Sequence, residues 1–184
     1  MKTKVFELFP DFEKEEHWLN TMAAKGWNLT GVFCNYHFEE GLPGEYIYRV
    51  VLLEHMPSHP ETISNIRIME ETGAELVCTY YRWAYFRRKA EYGDFQIYTD
   101  ALSQIAHYKR VIRLISWAAV GAFIGFAIQI PLIICAIFIW HEPFGFTNVI
   151  AAVFVAVCLY WVYMPWFRFR KKVKDLEFER DIFE

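Results

Sequence analysis

The feature that most constrains this chain is a pair of apolar runs within Leu114–Phe167. The first reads LISWAAVGAFIGFAIQIPLIICAIFIW and the second NVIAAVFVAVCLYWVYMPWF; neither contains a charged residue, and a short polar break joins them. A helix that crosses a bilayer needs roughly 20 predominantly apolar residues. Run length therefore predicts a two-helix transmembrane hairpin over 114–167. Basic residues collect on the cytoplasmic side of such hairpins. Lys109, Arg110 and Arg113 precede the first run, and Arg168, Arg170, Lys171, Lys172 and Lys174 follow the second. His141–Thr147 has neither Lys nor Arg. The expectation is a multi-pass plasma-membrane protein with both termini cytoplasmic. MKTKVFELFPDFEKEE at the N-terminus has no signal-peptide core, so the first run is expected to direct its own insertion.

Small residues within the runs predict where helices approach. Gly121-x-x-x-Gly125 in the first and Ala152-x-x-x-Ala156 in the second have the spacing that permits close contact, within the hairpin or between copies in a homo-oligomer. Gln129 is the strongly polar residue in mid-run, beside Pro131. An intramembrane polar group turns toward protein, and bonding a carbonyl freed by the proline accounts for it. Arg168, Arg170, Lys171 and Lys172 are placed to meet anionic lipid headgroups, at about 1 kcal/mol each. Residues 168–184 read as a cytoplasmic tail, basic to Lys174 and acidic beyond it, where it is solvated.

Residues 1–90 have the short mixed elements of an α+β domain. Lys4–Phe9 reads as a strand. Asp11 caps a helix over Phe12–Lys25, which Gly26 ends in a left-handed conformation. Trp27–Phe38 reads as a strand with a bulge near Gly31, and Tyr46–Glu54 as its hairpin partner. Ser58-x-x-Glu61 resembles a capping box before a helix over Pro60–Thr72, with Gly73 at its end. Leu76–Arg87 is the last strand. The order β-α-β-β-α-β is ferredoxin-like. An internal echo supports it: Met22-x-x-x-Gly26-x-x-Leu29 recurs as Met69-x-x-x-Gly73-x-x-Leu76. Residues 91–113 form a linker, with Thr99–Arg113 an amphipathic helix leading into the first run.

The chemistry of a site is harder to place. His55-x-x-x-His59 has ligand spacing, but Met56-Pro57 and Pro60 make it a loop, and no third ligand declares itself nearby, so no metal or other cofactor is expected. His17 and His37 read as ordinary helix and strand residues. No phosphate loop, nucleophile elbow or zinc-protease helix is present in the sequence, and no catalytic residue is nominated. Thr79–Phe86 is rich in aromatic residues. Alternation puts Tyr81, Trp83 and Tyr85 on one sheet face, with Tyr46 and Tyr48 extending the row. That face is the expected surface for a protein partner or a ligand. The net charge of −3 and the missing Lys/Arg-Gly-aromatic signature argue against nucleic acid.

The run Phe12-x-x-Glu15-Glu16-x-Trp18-Leu19-Asn20-x-Met22-Ala23-x-x-Gly26-Trp27, with Tyr36-x-Phe38 and Tyr46-x-Tyr48 behind it, resembles domain-of-unknown-function family 2812. The resemblance implies a bacterial membrane protein, encoded in the neighbourhood of PadR-type regulators, and brings no catalytic residues. The expected function is a membrane-anchored sensor, regulatory or accessory protein that is not an enzyme and acts through its cytoplasmic domain on a cytoplasmic or membrane partner. The alternatives are a small oligomeric pore or transporter subunit, and a membrane-bound enzyme with a pocket near His37 and the His55–His59 loop.

Overall fold

The computed structural model describes residues 1–9, 11–98, 100–138 and 146–183, leaving aside the side chains of 126, 129, 130, 132–138, 146–152, 155, 156, 182 and 183. The chain divides into two compact units, Met1–His107 and Tyr108–Glu184. The boundary between them falls inside a helix.

The first unit runs β1 (Lys2–Val5), α1 (Phe12–Ala24), β2 (Trp27–Phe33), β3 (Asn35–Glu40), β4 (Tyr46–Leu52), α2 (Pro60–Glu71), β5 (Glu75–Tyr80) and β6 (Trp83–Lys89). It forms two three-stranded sheets, β1-β3-β2 and β4-β6-β5, with antiparallel pairing throughout. This corrects the ferredoxin-like expectation, whose split β-α-β units require a parallel crossover. The two long strands read from sequence are each a hairpin. Cys34 turns β2 into β3 at φ 53°, and Tyr81 with Arg82 turns β5 into β6 at φ 56° for Tyr81. Left-handed conformations are uncommon for residues other than glycine, so neither turn has the composition by which turns are recognised.

The topology is a tandem β-α-β-β repeat. Gly26 and Gly73, each in the left-handed region, end the two helices. Leu29 and Leu76 follow at equal distance, and each pairing shifts register immediately after its leucine. Cys34 and Tyr81 occupy equivalent tips. The sequence echo thus marks a duplication, with a longer unit than the one it first indicates.

The cores of the two repeats differ. Leu19 and Ala23 of α1 pack with Leu29, Tyr36 and Phe38 of the first sheet and with Tyr48, Val50 and Tyr85 of the second. The other face of the second sheet, with Val51, Ala84 and Phe86, is covered by Phe95 and by Ile66 and Met69 of α2. The second sheet is therefore buried on both faces. Its outer strand β4 is sealed by α1: Asn20 accepts from the Tyr48 amide at 2.8 Å and donates to the Tyr48 carbonyl at 3.1 Å, and Glu16 accepts from the Val50 amide at 3.0 Å. Unpaired strand edges invite further pairing, and these side chains occupy that edge.

The second unit holds most of α3 (Ala101–Phe138) and all of α4 (Phe146–Phe183). Among the described residues, no helix is long and apolar enough to cross a membrane. This corrects both the transmembrane hairpin over 114–167 and the multi-pass plasma-membrane placement. The apolar runs are not separate elements. Each is part of a 38-residue helix that also carries the charged segments around 109–113 and 168–181. Some apolar surface is used between the helices: Val111, Phe169 and Val173 are buried. The rings of Tyr108 and Phe169 lie 5.8 Å apart, and Trp166 donates to Ser116 at 3.0 Å. Trp117, Phe123, Phe154 and Tyr163 remain exposed.

Candidate functional site

One buried polar group in the first unit, Glu15, is tightly held. The Asp11 side chain accepts from the Glu13 amide at 3.0 Å and so starts α1 in register. One turn in, Glu15 falls on the same face as Leu19 and Ala23 and enters the core. Tyr36 of the first sheet and Tyr85 of the second both donate to its Oε1, each at 2.7 Å. Burial pushes the Glu15 carboxyl above its ordinary value, and the two phenol donors partly offset this. Burial and the carboxylate raise both tyrosines as well, so they stay protonated as donors. Burial likewise pushes the Cys78 thiol up to about 11. The network joins the two sheets through α1, and every strong contact in it is internal.

The surface chemistry lies at the hairpin tips. Strands β2 and β5 run beside each other, which sets the two tips together. The Phe33 ring meets the Tyr80 ring edge-on at 6.5 Å. Phe33 is 73% exposed, Tyr81 64% and Tyr80 40%, and Cys34 between them is an exposed free thiol. A left-handed conformation costs an L-residue roughly 1–2 kcal/mol, and Tyr81 holds one while its ring faces solvent.

Beside the second tip opens a cleft of about 560 Å³, lined by His55, Met56, His59, Pro60, Tyr81 and Arg82 among others. Arg82 fixes its base by donating to the carbonyls of Leu53 and Glu54 at 2.7 and 2.6 Å. Glu61 closes the set: its Oε2 lies 3.2 Å from His55 Nε2 and 4.0 Å from His59 Nδ1. The sequence reading placed no third ligand beside the two histidines. Glu61 stands two residues past His59, where it reads as half of a capping box. The N-cap of α2 is in fact His59, which makes no side-chain cap.

The residues expected to form a partner surface are separated by the fold. Tyr48 and Tyr85 are core residues, Trp83 and Tyr46 are half-buried, and Tyr81 is exposed at the tip. Tyr46 stacks under the Arg87 guanidinium at 4.3 Å. Sequence reasoning missed Phe33 and Tyr80 as exposed neighbours, and missed Glu15 as the centre of a network. Gly121 and Gly125 face open space, with no described atom within 4 Å of a built Cβ. The side chains of Gln129, Ala152 and Ala156 lie outside the described residues. Arg168, Arg170, Lys171 and Lys172 are exposed on α4, where Arg170 covers the Trp166 ring at 4.7 Å and Lys172 the Tyr108 ring at 4.9 Å. His37 sits half-buried on β3 and is not among the cleft residues.

A family model described as protein of unknown function (DUF2812) matches residues 11–120. The chain belongs to this family. The match opens at Asp11, the cap of α1, and covers all of α1 with Glu15, both hairpin tips and the His55–Glu61 segment. No curated protein and no solved structure matches the chain.

Proposed function

We propose that this DUF2812 protein is a non-enzymatic regulatory or accessory protein whose Met1–His107 unit binds a protein partner through the paired hairpin tips. The carrying observation is the contact of Phe33 with Tyr80 at the surface, with Tyr81 exposed beside them. Aromatic side chains supply large, rigid contact area and are enriched in the cores of protein interfaces. The patch is built by both repeats, so a partner that covers it engages a rigid surface rather than a single loop. A partner that presents aliphatic or aromatic side chains fits this surface best.

Cys34 gives the means of testing it. It is exposed within the patch, whereas Cys78 is raised to about 11 and reacts slowly near neutral pH. A thiol-reactive photocrosslinker placed on Cys34 of the full chain carrying Cys135→Ser and Cys158→Ser is expected to capture one protein species. The double variant Phe33→Ser with Tyr81→Gly is expected to lose that adduct while its unfolding midpoint does not fall. Capture of the same species at equal yield by both proteins would refute the reading. Capture of a second copy of the chain would replace the partner by self-association.

A further inference from the structure

The geometry points to a divalent transition-metal site formed by His55, His59 and Glu61, the ion clipping the start of α2 to the loop before it. The inference is independent of the partner surface proposed above, because it rests on a different set of side chains. All three residues offer a ligand atom, and these atoms lie within 4.8 Å of one another. The histidine rings face each other with centroids 4.3 Å apart and planes 32° from parallel. Ligand atoms held about 2.0–2.2 Å from a tetrahedral zinc ion stand roughly 3.4 Å from each other. The His55–Glu61 separation of 3.2 Å already meets this, and the His59–Glu61 separation of 4.0 Å reaches it by a small side-chain adjustment.

Two further observations favour an ion over a simple ion pair. First, on a half-exposed side chain, the His59 Nδ1 atom itself is shielded from solvent and has no hydrogen-bond partner among the described residues. A buried polar atom without a partner is costly, and a metal lone-pair bond is one way to satisfy it. Second, the backbone at the site is stiff. Pro57 is the second residue of the turn closed by the His59 amide on the Met56 carbonyl, Pro60 occupies the first position of α2, and the carbonyls of Leu53 and Glu54 are pinned by Arg82. Two neutral imidazoles and one carboxylate form the borderline donor set that suits zinc and its first-row neighbours, whereas calcium and magnesium prefer oxygen alone. Three protein ligands leave a coordination position open toward the cleft shared with Tyr81 and Arg82.

The ion would supply what the sequence of α2 lacks. Asp11 caps α1 with a side-chain hydrogen bond, and His59 gives α2 none. A metal bridging residues 55, 59 and 61 ties the first turn of α2 to the loop that leaves β4, so metal binding should raise the stability of the Met1–His107 unit.

The test uses the full chain stripped with a chelator and titrated with zinc alone. One zinc per chain is expected, with a rise in melting temperature. His59→Gln and Glu61→Gln should each weaken the affinity by about tenfold or more, on the scale seen when metal-site groups are removed. Each variant is checked for unchanged far-ultraviolet circular dichroism, and His37→Gln is expected to bind zinc as the parent chain does. Cobalt substitution should give a spectrum without thiolate charge transfer, which separates this site from the cysteines. No uptake by the parent chain, unchanged affinity in both variants, or a thiolate band on cobalt would each overturn the assignment.

Discussion

The two β-α-β-β repeats share a plan and use their helices differently. Helix α1 is capped by Asp11, buries Glu15, Leu19 and Ala23, and sends Glu16 and Asn20 to the edge of β4. Helix α2 has no side-chain cap and buries Thr62 alone in full, while Ile63 and Ile68 stay about half exposed. The same local grammar, a helix ended by a left-handed glycine and followed by a bulged hairpin, thus gives one repeat that organises the core and one that is left open to surroundings. The difference teaches where to look for function. Here the cleft and the His55–His59–Glu61 cluster both belong to the second repeat.

The sharpest way to break this comparison is to shorten equivalent faces of the two helices. Leu19→Ala removes a fully buried side chain and is expected to cost about 2–5 kcal/mol. Ile66→Ala acts at the position equivalent to Leu19, which is only partly buried against the second core, and should cost less, about 1–2 kcal/mol. Urea unfolding followed by circular dichroism measures both. Equal losses would mean that α2 is as firmly seated as α1.

A smaller effect probes the network that only the first helix builds. Tyr85→Phe deletes one donor to the buried Glu15 carboxyl and should cost about 1–3 kcal/mol. Glu15 also has a sign to test. Its folded value is raised above 4.5, so its contribution is fully present below 4.5 and is lost as pH rises through the raised folded value. Glu15→Gln removes that dependence. Relative to the parent chain, the variant should therefore gain stability between mildly acidic and alkaline pH, and thermal melts across that range would show it. A constant difference would place the charge of Glu15 in a better-solvated setting than its burial indicates.

The smallest expected effects concern the tips. Glycine relieves a left-handed backbone, so Tyr81→Gly and Cys34→Gly should each raise stability by about 1 kcal/mol. Similar gains at both would show that the two turns remain conformationally equivalent despite their different sequences. A loss at Tyr81 alone would show that its ring is held by contacts that outweigh the strain.

Much of this architecture is readable from the sequence. Asp11 as a cap, the bounds of α1 and α2 to within a residue or so, the bulge at Gly31 and the glycine closures are all local signals, and local physics sets them. The hairpin turns are not readable, because Cys34 and Tyr81 adopt a backbone conformation that their types disfavour. That single gap turned two hairpins into two long strands and led to the wrong sheet topology. The Glu15 network is invisible for another reason. Its partners Tyr36 and Tyr85 reach it only through the meeting of two sheets. Glu61 is legible as an acid near the start of a helix, and its second role appears only when the loop folds His55 back beside it. The apolar runs of 114–167 give the opposite lesson: counting uncharged letters treats a run as an element, and here α3 begins well before the first run and α4 continues well past the second.

Asn20 carries a consequence for how the protein comes into being. It belongs to the first repeat by sequence, yet it behaves toward β4 as a strand one residue long, supplying the donor and the acceptor that a neighbouring backbone would. The outer edge of the second sheet is therefore left unsatisfied until the first repeat has placed its helix. The halves of this duplication are not two modules joined in series. They form a single cooperative unit, and a chain cut between β3 and β4 would leave two fragments, each missing a surface that only the other can provide.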